Sequence, residues 1–281
     1  MKPAPFDLAC PDTVDEALEV LAEHGADARI LAGGQSLGAM LNMRLATPGV
    51  LIDISRLDEL TTITETDRLI EVGAAVTQDQ LLRWPGLAAQ PLLRQMLPWV
   101  GHHQTRQRGT VCGSLAHGDP SSELPLALAT LGGEVVLASR RSRRVVSARD
   151  FQIGLMQTAL EDDEMIVAAR FPKAPKGARF AFHEVGPRQG DFAIVAVAVM
   201  AEPDGSGAEG MTIGIGGVAD TPAVRRVVDL EGAALADALN GIAWELQAGS
   251  DVHATASYRR TLVRNLGAKV IGEASDALSQ G

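Results

Sequence analysis

Cysteine is almost missing from this chain: its 281 residues contain only two, Cys10 and Cys112. Two isolated cysteines give neither a disulfide framework nor a Cys-x-x-Cys metal site. An iron–sulfur cluster needs several thiolate ligands, so this chain cannot bind one with its own cysteines. Any such metal chemistry must be carried by another protein.

Positive charge is also in short supply. Lys and Arg number 25 against 35 Asp and Glu, which gives a net charge of −10. This balance argues against nucleic acid as a partner, because neutralising a phosphate backbone requires clustered positive charge. The one basic run, residues 140–144, lies between apolar stretches. We interpret it as the solvated turn of a hairpin, with docking of a partner as the alternative.

Long apolar runs are absent as well. The longest, residues 192–201, is only half of what a membrane-spanning helix needs. The first residues contain no apolar segment of signal-peptide length. We therefore expect no membrane span and a cytoplasmic location.

Several common site motifs do not occur. The chain has no Gly-Lys-Ser/Thr of a Walker A loop and no Gly-x-Gly-x-x-Gly fingerprint. His102, His103 and His117 fit no zinc-ligand spacing, so we interpret them as loop or surface histidines and predict no metal site. No arrangement typical of nucleophilic catalysis is found, and no catalytic side chain is predicted.

The patterns that are present predict an α+β fold. Capping boxes at residues 13–16 and 77–80 predict two helix starts. Short apolar strands near residues 29–32 and 51–54 flank a glycine turn and a short helix, which is typical of a βαβ-like unit. A hairpin is predicted between residues 134–138 and 144–147.

A linker rich in Pro, Gly and Lys at residues 172–177 predicts a domain boundary. We expect one domain at residues 1–175 and a second at residues 176–281. The second is predicted to contain three antiparallel strands near residues 180–185, 192–200 and 211–218. Two helices, near residues 230–239 and 255–271, are expected to follow.

The first of two glycine-bearing loops, here the first glycine loop, spans residues 32–37. It reads Ala32, Gly33, Gly34, Gln35, Ser36 and Leu37, between a strand and a helix. Such a turn suits a diphosphate, because glycines let the backbone approach closely and free N–H groups at a helix start point at the anion. A tight turn that binds nothing is the alternative.

The second glycine loop spans residues 109–125. Thr110 and Ser114 place hydroxyl groups around Gly113. Asp119 and Glu123 follow, and their carboxylates could accept hydrogen bonds from ribose hydroxyls. A dinucleotide held by two loops about 75 residues apart is not held in the manner of the Gly-x-Gly-x-x-Gly fold.

Both loops together resemble the FAD-binding subunit of the xanthine dehydrogenase and carbon monoxide dehydrogenase family. The matching segments are residues 32–37, 110–114 and 119–125. A further match, residues 182–192, resembles the family's Phe-x-Glu-x-x-x-Arg-x-Gly-Asp-Phe stretch. The matches keep the family's order and spacing, and the resemblance covers essentially the whole chain.

The resemblance implies a two-subdomain FAD-binding domain with the cofactor between the subdomains, which meet near residues 55–60. The first glycine loop would contact the FAD pyrophosphate, and residues 110–114 the pyrophosphate and ribityl chain. Further implied contacts come from Asp119, Glu123, Ile166 and His183, the last standing where some relatives carry Lys. Val100 stands where some relatives stack an aromatic ring on the adenine.

Cys112 is the clearest departure from the family pattern, which has glycine there. If the position requires a positive φ, a cysteine is strained. We favour the alternative, a tolerated substitution where glycine was not strictly required. A redox role for Cys112 would lack a second cysteine nearby in sequence.

The resemblance also implies partners: a large molybdenum-cofactor subunit and a small subunit with two [2Fe–2S] clusters, assembled as a dimer of heterotrimers. Substrate would be hydroxylated at molybdenum, and electrons would pass through the clusters to FAD and on to an external acceptor. Two alternatives remain. One is a self-sufficient FAD-dependent reductase or oxidase, and the other is a nucleotide-binding scaffold without redox activity.

Overall fold

The computed structural model describes residues 2–203, 209–228 and 231–279. Helices and strands are mixed throughout, as the α+β prediction required. No helix in the described ranges is both long and apolar enough to cross a membrane.

The chain begins with a small parallel sheet. It contains β1 (Asp7–Ala9), β2 (Ala28–Leu31) and β3 (Val50–Asp53), in the order β1-β3-β2. The helices α1 (Val14–His24) and α2 (Leu37–Met43) connect them. The predicted βαβ unit is confirmed. Strand β1 was not predicted, because three residues before a proline carry too little alternation to be recognised.

A five-stranded antiparallel sheet forms the next layer, in the order β4-β5-β10-β6-β7. Its strands are β4 (Ile63–Glu65), β5 (Leu69–Gly73), β6 (Glu134–Ala138), β7 (Arg143–Ser147) and β10 (Met165–Pro172). Strands β8 (Gln152–Gly154) and β9 (Gln157–Thr158) form a separate short hairpin. The predicted hairpin around the basic run is therefore β6–β7.

Five helices lie between β5 and β6, and one follows β7. They are α3 (Gln78–Arg83), α4 (Pro91–Met96), α5 (His103–Arg108), α6 (Val111–His117), α7 (Glu123–Thr130) and α8 (Ala148–Phe151). Residues 85–99 form three short turns, Pro85–Ala89, α4 and Leu97–Trp99. Proline starts or interrupts each turn because it lacks the N–H that would continue a preceding helix.

The C-terminal part contains a four-stranded antiparallel meander rather than the three strands expected. It consists of β11 (Arg179–Val185), β12 (Val195–Pro203), β13 (Glu209–Gly216) and β14 (Ala223–Val228), in that order. The prediction missed β14 because Arg225 and Arg226 occupy its middle. An edge strand tolerates charged side chains that a central strand would not.

Two helices complete this part, α9 (Gly232–Glu245) and α10 (Ala256–Ser279). Both faces of the four-stranded sheet pack against other parts of the chain. Val197 and Val199 pack with α10, whereas Phe180, Phe182 and Ala198 join the core of the first 175 residues. Neighbouring side chains on a strand point to opposite faces. One face of the C-terminal sheet therefore completes the core around the glycine loops.

Candidate functional site

The two glycine loops meet where Gly33 contacts Arg108 and Gly109, and we call this contact the glycine junction. A Cβ added at Gly33 would lie 2.7 Å from the carbonyl carbon of Arg108 and 2.8 Å from the Cα of Gly109. Only glycine allows backbones to approach this closely. Segments that are about 75 residues apart in sequence are thus brought into direct contact, as a ligand bound by both requires.

The first glycine loop also needs glycine for its conformation. Gly34 has φ +68°, and Gly38 N–H donates to its carbonyl oxygen at 2.9 Å. Gln35 is exposed and its Nε2 donates to Gly33 O at 3.1 Å, whereas Ser36 and Leu37 are half-buried. Met40 N–H donates to Ser36 O at 3.1 Å, so α2 begins directly after the loop.

The second glycine loop is held by hydrogen bonds to the segment before α3. Gln78 N–H donates to Gly109 O at 2.8 Å, and Val111 N–H donates to Val76 O at 3.1 Å. Thr110 then caps α6, its Oγ1 accepting from Gly113 N–H at 3.0 Å. Side chains and backbone together fix Gly113 and the half-buried Ser114 beside the junction.

Cys112 lies inside α6 and is 2% exposed. Its φ is not positive: among the described residues other than glycine, only Arg44, Met156 and Gln247 have positive φ. The position therefore does not strain a cysteine, in agreement with a tolerated substitution. Burial raises the pKa of the Cys112 thiol to about 12, which opposes thiolate formation and a redox role.

Asp119 and Glu123 stand at the start of α7. Asp119 Oδ1 accepts from Ser121 N–H at 2.8 Å. Glu123 is 5% exposed, and burial raises the pKa of its carboxyl to about 7. The negative charge of Asp119 raises the pKa further, whereas Arg106 lowers it. Glu123 is thus a buried acid that titrates near neutral pH.

Glu184, which was not among the predicted site residues, lies close enough to Glu123 to feel its charge. It lies on β11, two residues from Phe182 and on the same side of the sheet. Its Oε2 is buried and has no hydrogen-bond partner in the described chain. Arg106 Nε is also buried and without a hydrogen-bond partner there. Burial, and then the charge of Glu123, raise the pKa of Glu184 to about 8.

His183 points away from these residues. Its Nε2 lies 2.9 and 3.0 Å from the two carboxylate oxygens of Glu273 on α10. The structure therefore does not bring His183 to the other predicted site residues, because the register of β11 turns it to the opposite face. The signal that could have identified Glu184 was the alternation of Phe180 and Phe182.

The remaining predicted positions differ in exposure. Ile166 on β10 is 5% exposed beside a bulge in the pairing with β6, and Val100 is 8% exposed. His102 and His103 are exposed and His117 is half-buried. In the described ranges no group of three or more His, Cys, Asp or Glu could hold a metal ion.

A cleft of about 980 Å³ lies elsewhere, between α7, α8 and β14. Leu115, Arg149, Asp220 and Arg225 are among its lining residues, and no residue of the first glycine loop is. We do not assign it to the site. The glycine junction and its carboxyl groups are the arrangement suited to a phosphate-bearing ligand with hydroxyl groups.

Comparison with known proteins assigns both parts of the chain to families. Residues 4–174 match the FAD binding domain in molybdopterin dehydrogenase. Residues 180–274 match the CO dehydrogenase flavoprotein C-terminal domain.

Individual relatives match over 77% or more of each chain. The alpha subunit of the 6-hydroxypseudooxynicotine dehydrogenase complex from Paenarthrobacter nicotinovorans is 33% identical, covering 98% of this chain and 96% of that protein. The medium chain of carbon monoxide dehydrogenase from Afipia carboxidovorans is 35% identical, covering 79% and 77%. The solved structure of quinoline 2-oxidoreductase from Pseudomonas putida 86 superposes with a TM-score of 0.91 at 33% identity, covering 99% of each chain.

On these matches, and on the glycine junction described above, the chain belongs to the family of FAD-binding flavoprotein subunits of molybdenum hydroxylases, which includes the medium chain of carbon monoxide dehydrogenase.

Proposed function

We propose that this chain is the electron-transfer subunit of a molybdenum-cofactor-dependent hydroxylase or dehydrogenase. It holds FAD and passes electrons from the [2Fe–2S] clusters of a small partner subunit to an external acceptor. Substrate is hydroxylated on a large partner subunit that carries the molybdenum cofactor. Family membership supports this role, and the scarcity of cysteine agrees with clusters carried by another chain.

The observation that carries the proposal is the contact of Gly33 with Arg108 and Gly109. At this contact the backbones of both loops lie close enough for one ligand to touch both. A pyrophosphate bound at this junction would receive N–H donors from both sides. Close approach at Gly33 is what permits a single ligand to bridge the two subdomains.

The residues at the junction fit FAD. We propose as its contacts Ala32, Gly33, Gly34, Gln35, Ser36, Leu37, Thr110, Cys112, Gly113, Ser114, Asp119, Glu123 and Ile166, with Cys112 contributing backbone only. Glu184 replaces His183 in this set, because its buried Oε2 lacks a partner that a bound flavin nucleotide could supply. Bound FAD supplies the electron chemistry, while the protein supplies position and electrostatics.

The assembly follows from the kind of relative. The similar proteins are the alpha subunit of a complex and a medium chain, so each works with other subunits. We propose a dimer of heterotrimers in the cytoplasm. Within the chain we propose a domain boundary near residue 175, which the matched ranges of 4–174 and 180–274 support, and a subdomain boundary near residues 55–60.

The test is an absorbance spectrum of the affinity-purified chain, co-expressed with its neighbouring genes, together with a gel of the co-purifying proteins. We expect flavin bands overlaid with iron–sulfur absorption and two partners, one large and one small. Flavin bands bleached by substrate in a chain without partners would replace the proposal with a self-sufficient flavoenzyme. Colourless protein would leave a scaffold without redox activity.

A further inference from the structure

Arg259 on α10 is a buried cation far from the glycine loops in sequence. It is 7% exposed, and its Nη1 donates to two backbone carbonyls, Ile194 O at 2.6 Å and Gly217 O at 2.5 Å. Its Nη2 donates to Asp251 Oδ2 at 2.6 Å. We call this group, Arg259 with Asp251 and the two carbonyls, the carbonyl clamp.

The two clamped carbonyls flank neighbouring strands, Ile194 directly before β12 and Gly217 directly after β13. Gly217 has φ +77°, and a Cβ there would lie 2.8 Å from Ile194 O and 2.9 Å from Ala193 O. The two strand ends are therefore packed backbone to backbone. Arg259 joins the ends of these two central strands.

From these strand ends, two further hydrogen bonds reach the second glycine loop. Gly217 N–H donates to Pro120 O at 2.9 Å, and Ala193 N–H donates to Ser121 O at 3.4 Å. Pro120 and Ser121 lie between Asp119 and Glu123. The carbonyl clamp is thus connected to the backbone of Pro120 and Ser121, which determines the positions of the Asp119 and Glu123 carboxyl groups.

The clamp is built to hold one geometry. A guanidinium presents its donors in a rigid planar fork, so it fixes the acceptors relative to one another. Asp251 neutralises the buried charge and is itself fixed, because its Oδ1 accepts from His253 N–H and Ala254 N–H, both at 2.9 Å. A buried charge is costly without such pairing.

We propose that Arg259 is a positioning residue of the flavin site, which acts through Ile194 and Gly217 to hold the Asp119–Glu123 segment in its FAD-binding position. This inference rests on the proposed function, since it presumes that the segment contacts FAD. It gives the C-terminal domain a part in cofactor binding through backbone contacts.

The experiment compares FAD binding by the full-length deflavinated chain and by three variants, at a temperature well below all their melting temperatures. Arg259→Ala removes the clamp. Arg259→Lys keeps the charge but loses the fork. Val263→Ala, fully buried on the same helix, is the control for loss of stability without loss of the clamp.

We expect Arg259→Ala to raise the FAD dissociation constant about tenfold and Arg259→Lys about threefold, because each lost hydrogen bond releases the segment further. Val263→Ala should lower the melting temperature and leave the dissociation constant within about twofold, because cavity effects stay local. The visible absorption band of bound flavin should also lose its resolved shoulders in the two Arg259 variants, and keep them in Val263→Ala.

Equal dissociation constants for Arg259→Ala and Val263→Ala would overturn the inference while leaving the proposed function intact. Absence of FAD binding by the wild-type chain would overturn both. If Arg259→Ala does not fold, Arg259→Lys against Val263→Ala decides: a weaker affinity supports the clamp, and an unchanged affinity refutes it.

Discussion

The first and second glycine loops meet at one point but are stabilised in different ways. The first depends on backbone: Gly33 lies against the Arg108 carbonyl group and Gly34 has a positive φ. The second adds side-chain hydrogen bonds to its backbone hydrogen bonds: Thr110 caps α6, and Asp119 accepts from the Ser121 N–H. A loop of the first kind can be disrupted by one methyl group, whereas a loop of the second kind is weakened by removing one oxygen.

Cys112 illustrates the difference. The family pattern has glycine at this position, yet the backbone of α6 accepts a cysteine without strain. Its side chain turns into the core, with Sγ 3.6 Å from Val72 O. No comparable substitution is available at Gly33, where any side chain would overlap backbone atoms. Whether a position tolerates a side chain therefore depends on the space around its Cβ, and not on the presence of glycine in a family motif.

The largest effect should come from Gly33→Ala. The added methyl forces the two loops apart, and overpacking of this kind costs about 1–3 kcal/mol, which corresponds to about 5- to 150-fold weaker FAD binding. Flavin content after purification and titration of the deflavinated chain measure it. Gly38→Ala is the control, since a Cβ at Gly38 meets nothing within 4 Å. Equal flavin content in both variants would contradict the contact.

A smaller effect is expected from Thr110→Ala. Loss of an N-cap costs about 1 kcal/mol of stability, and displacement of Gly113 should weaken FAD binding by about fivefold. Thr13→Ala is a matched control, because Thr13 Oγ1 caps α1 by accepting from Glu16 N–H at 3.1 Å. Both variants should lose similar stability in thermal unfolding, but only Thr110→Ala should lose affinity. Equal affinities would show that the Thr110 cap serves the fold alone.

Much of the local structure could be predicted from the sequence because its causes are local. The capping box at Thr77 forms as expected, with both reciprocal hydrogen bonds to Gln80. The box at Thr13 forms only in part: Glu16 accepts from Asp12 N–H instead of Thr13 N–H. The pairing β6–β7 also follows from a short apolar alternation around a basic turn.

What the sequence did not reveal depends on contacts between distant segments. Nothing near Gly33 indicates that Arg108 will be its neighbour. The same limitation applies to β11: His183 and Glu184 are adjacent in sequence, and only the packing of the strand decides which of them lies beside Glu123. The fourth strand of the C-terminal sheet was not predicted for a related reason. The sequence of β14 is interrupted by two arginines, and its pairing with β13 is what makes it a strand.

The carboxyl groups beside the second loop allow a test by pH. Their pKa values rise from 4.5 to about 7 for Glu123 and about 8 for Glu184. Between pH 4.5 and 8 the folded chain therefore binds more protons than the unfolded chain, so stability falls as pH rises through this window and levels off above it. The melting temperature of the deflavinated chain should decline over that range.

Glu184→Gln should remove part of this decline. The variant cannot acquire the buried negative charge, so we expect a higher melting temperature than the wild type at pH 8 and little difference at pH 4.5. Glu23→Gln, an exposed change on α1, should follow the wild-type curve. Parallel curves for Glu184→Gln and the wild type would mean that Glu184 is more hydrated than its buried Oε2 indicates.

The smallest effect concerns Cys112 and returns to the tolerance of the second loop. Because burial raises the pKa of this thiol to about 12, almost no thiolate is available at neutral pH, and the side chain is shielded as well. Exposed Cys10 provides the internal comparison. Alkylation of the native chain followed by mass spectrometry should label Cys10 and spare Cys112, while denaturant should expose both. Labelling of Cys112 in the native chain would mean that α6 opens, and the second loop would then be the less rigid side of the junction.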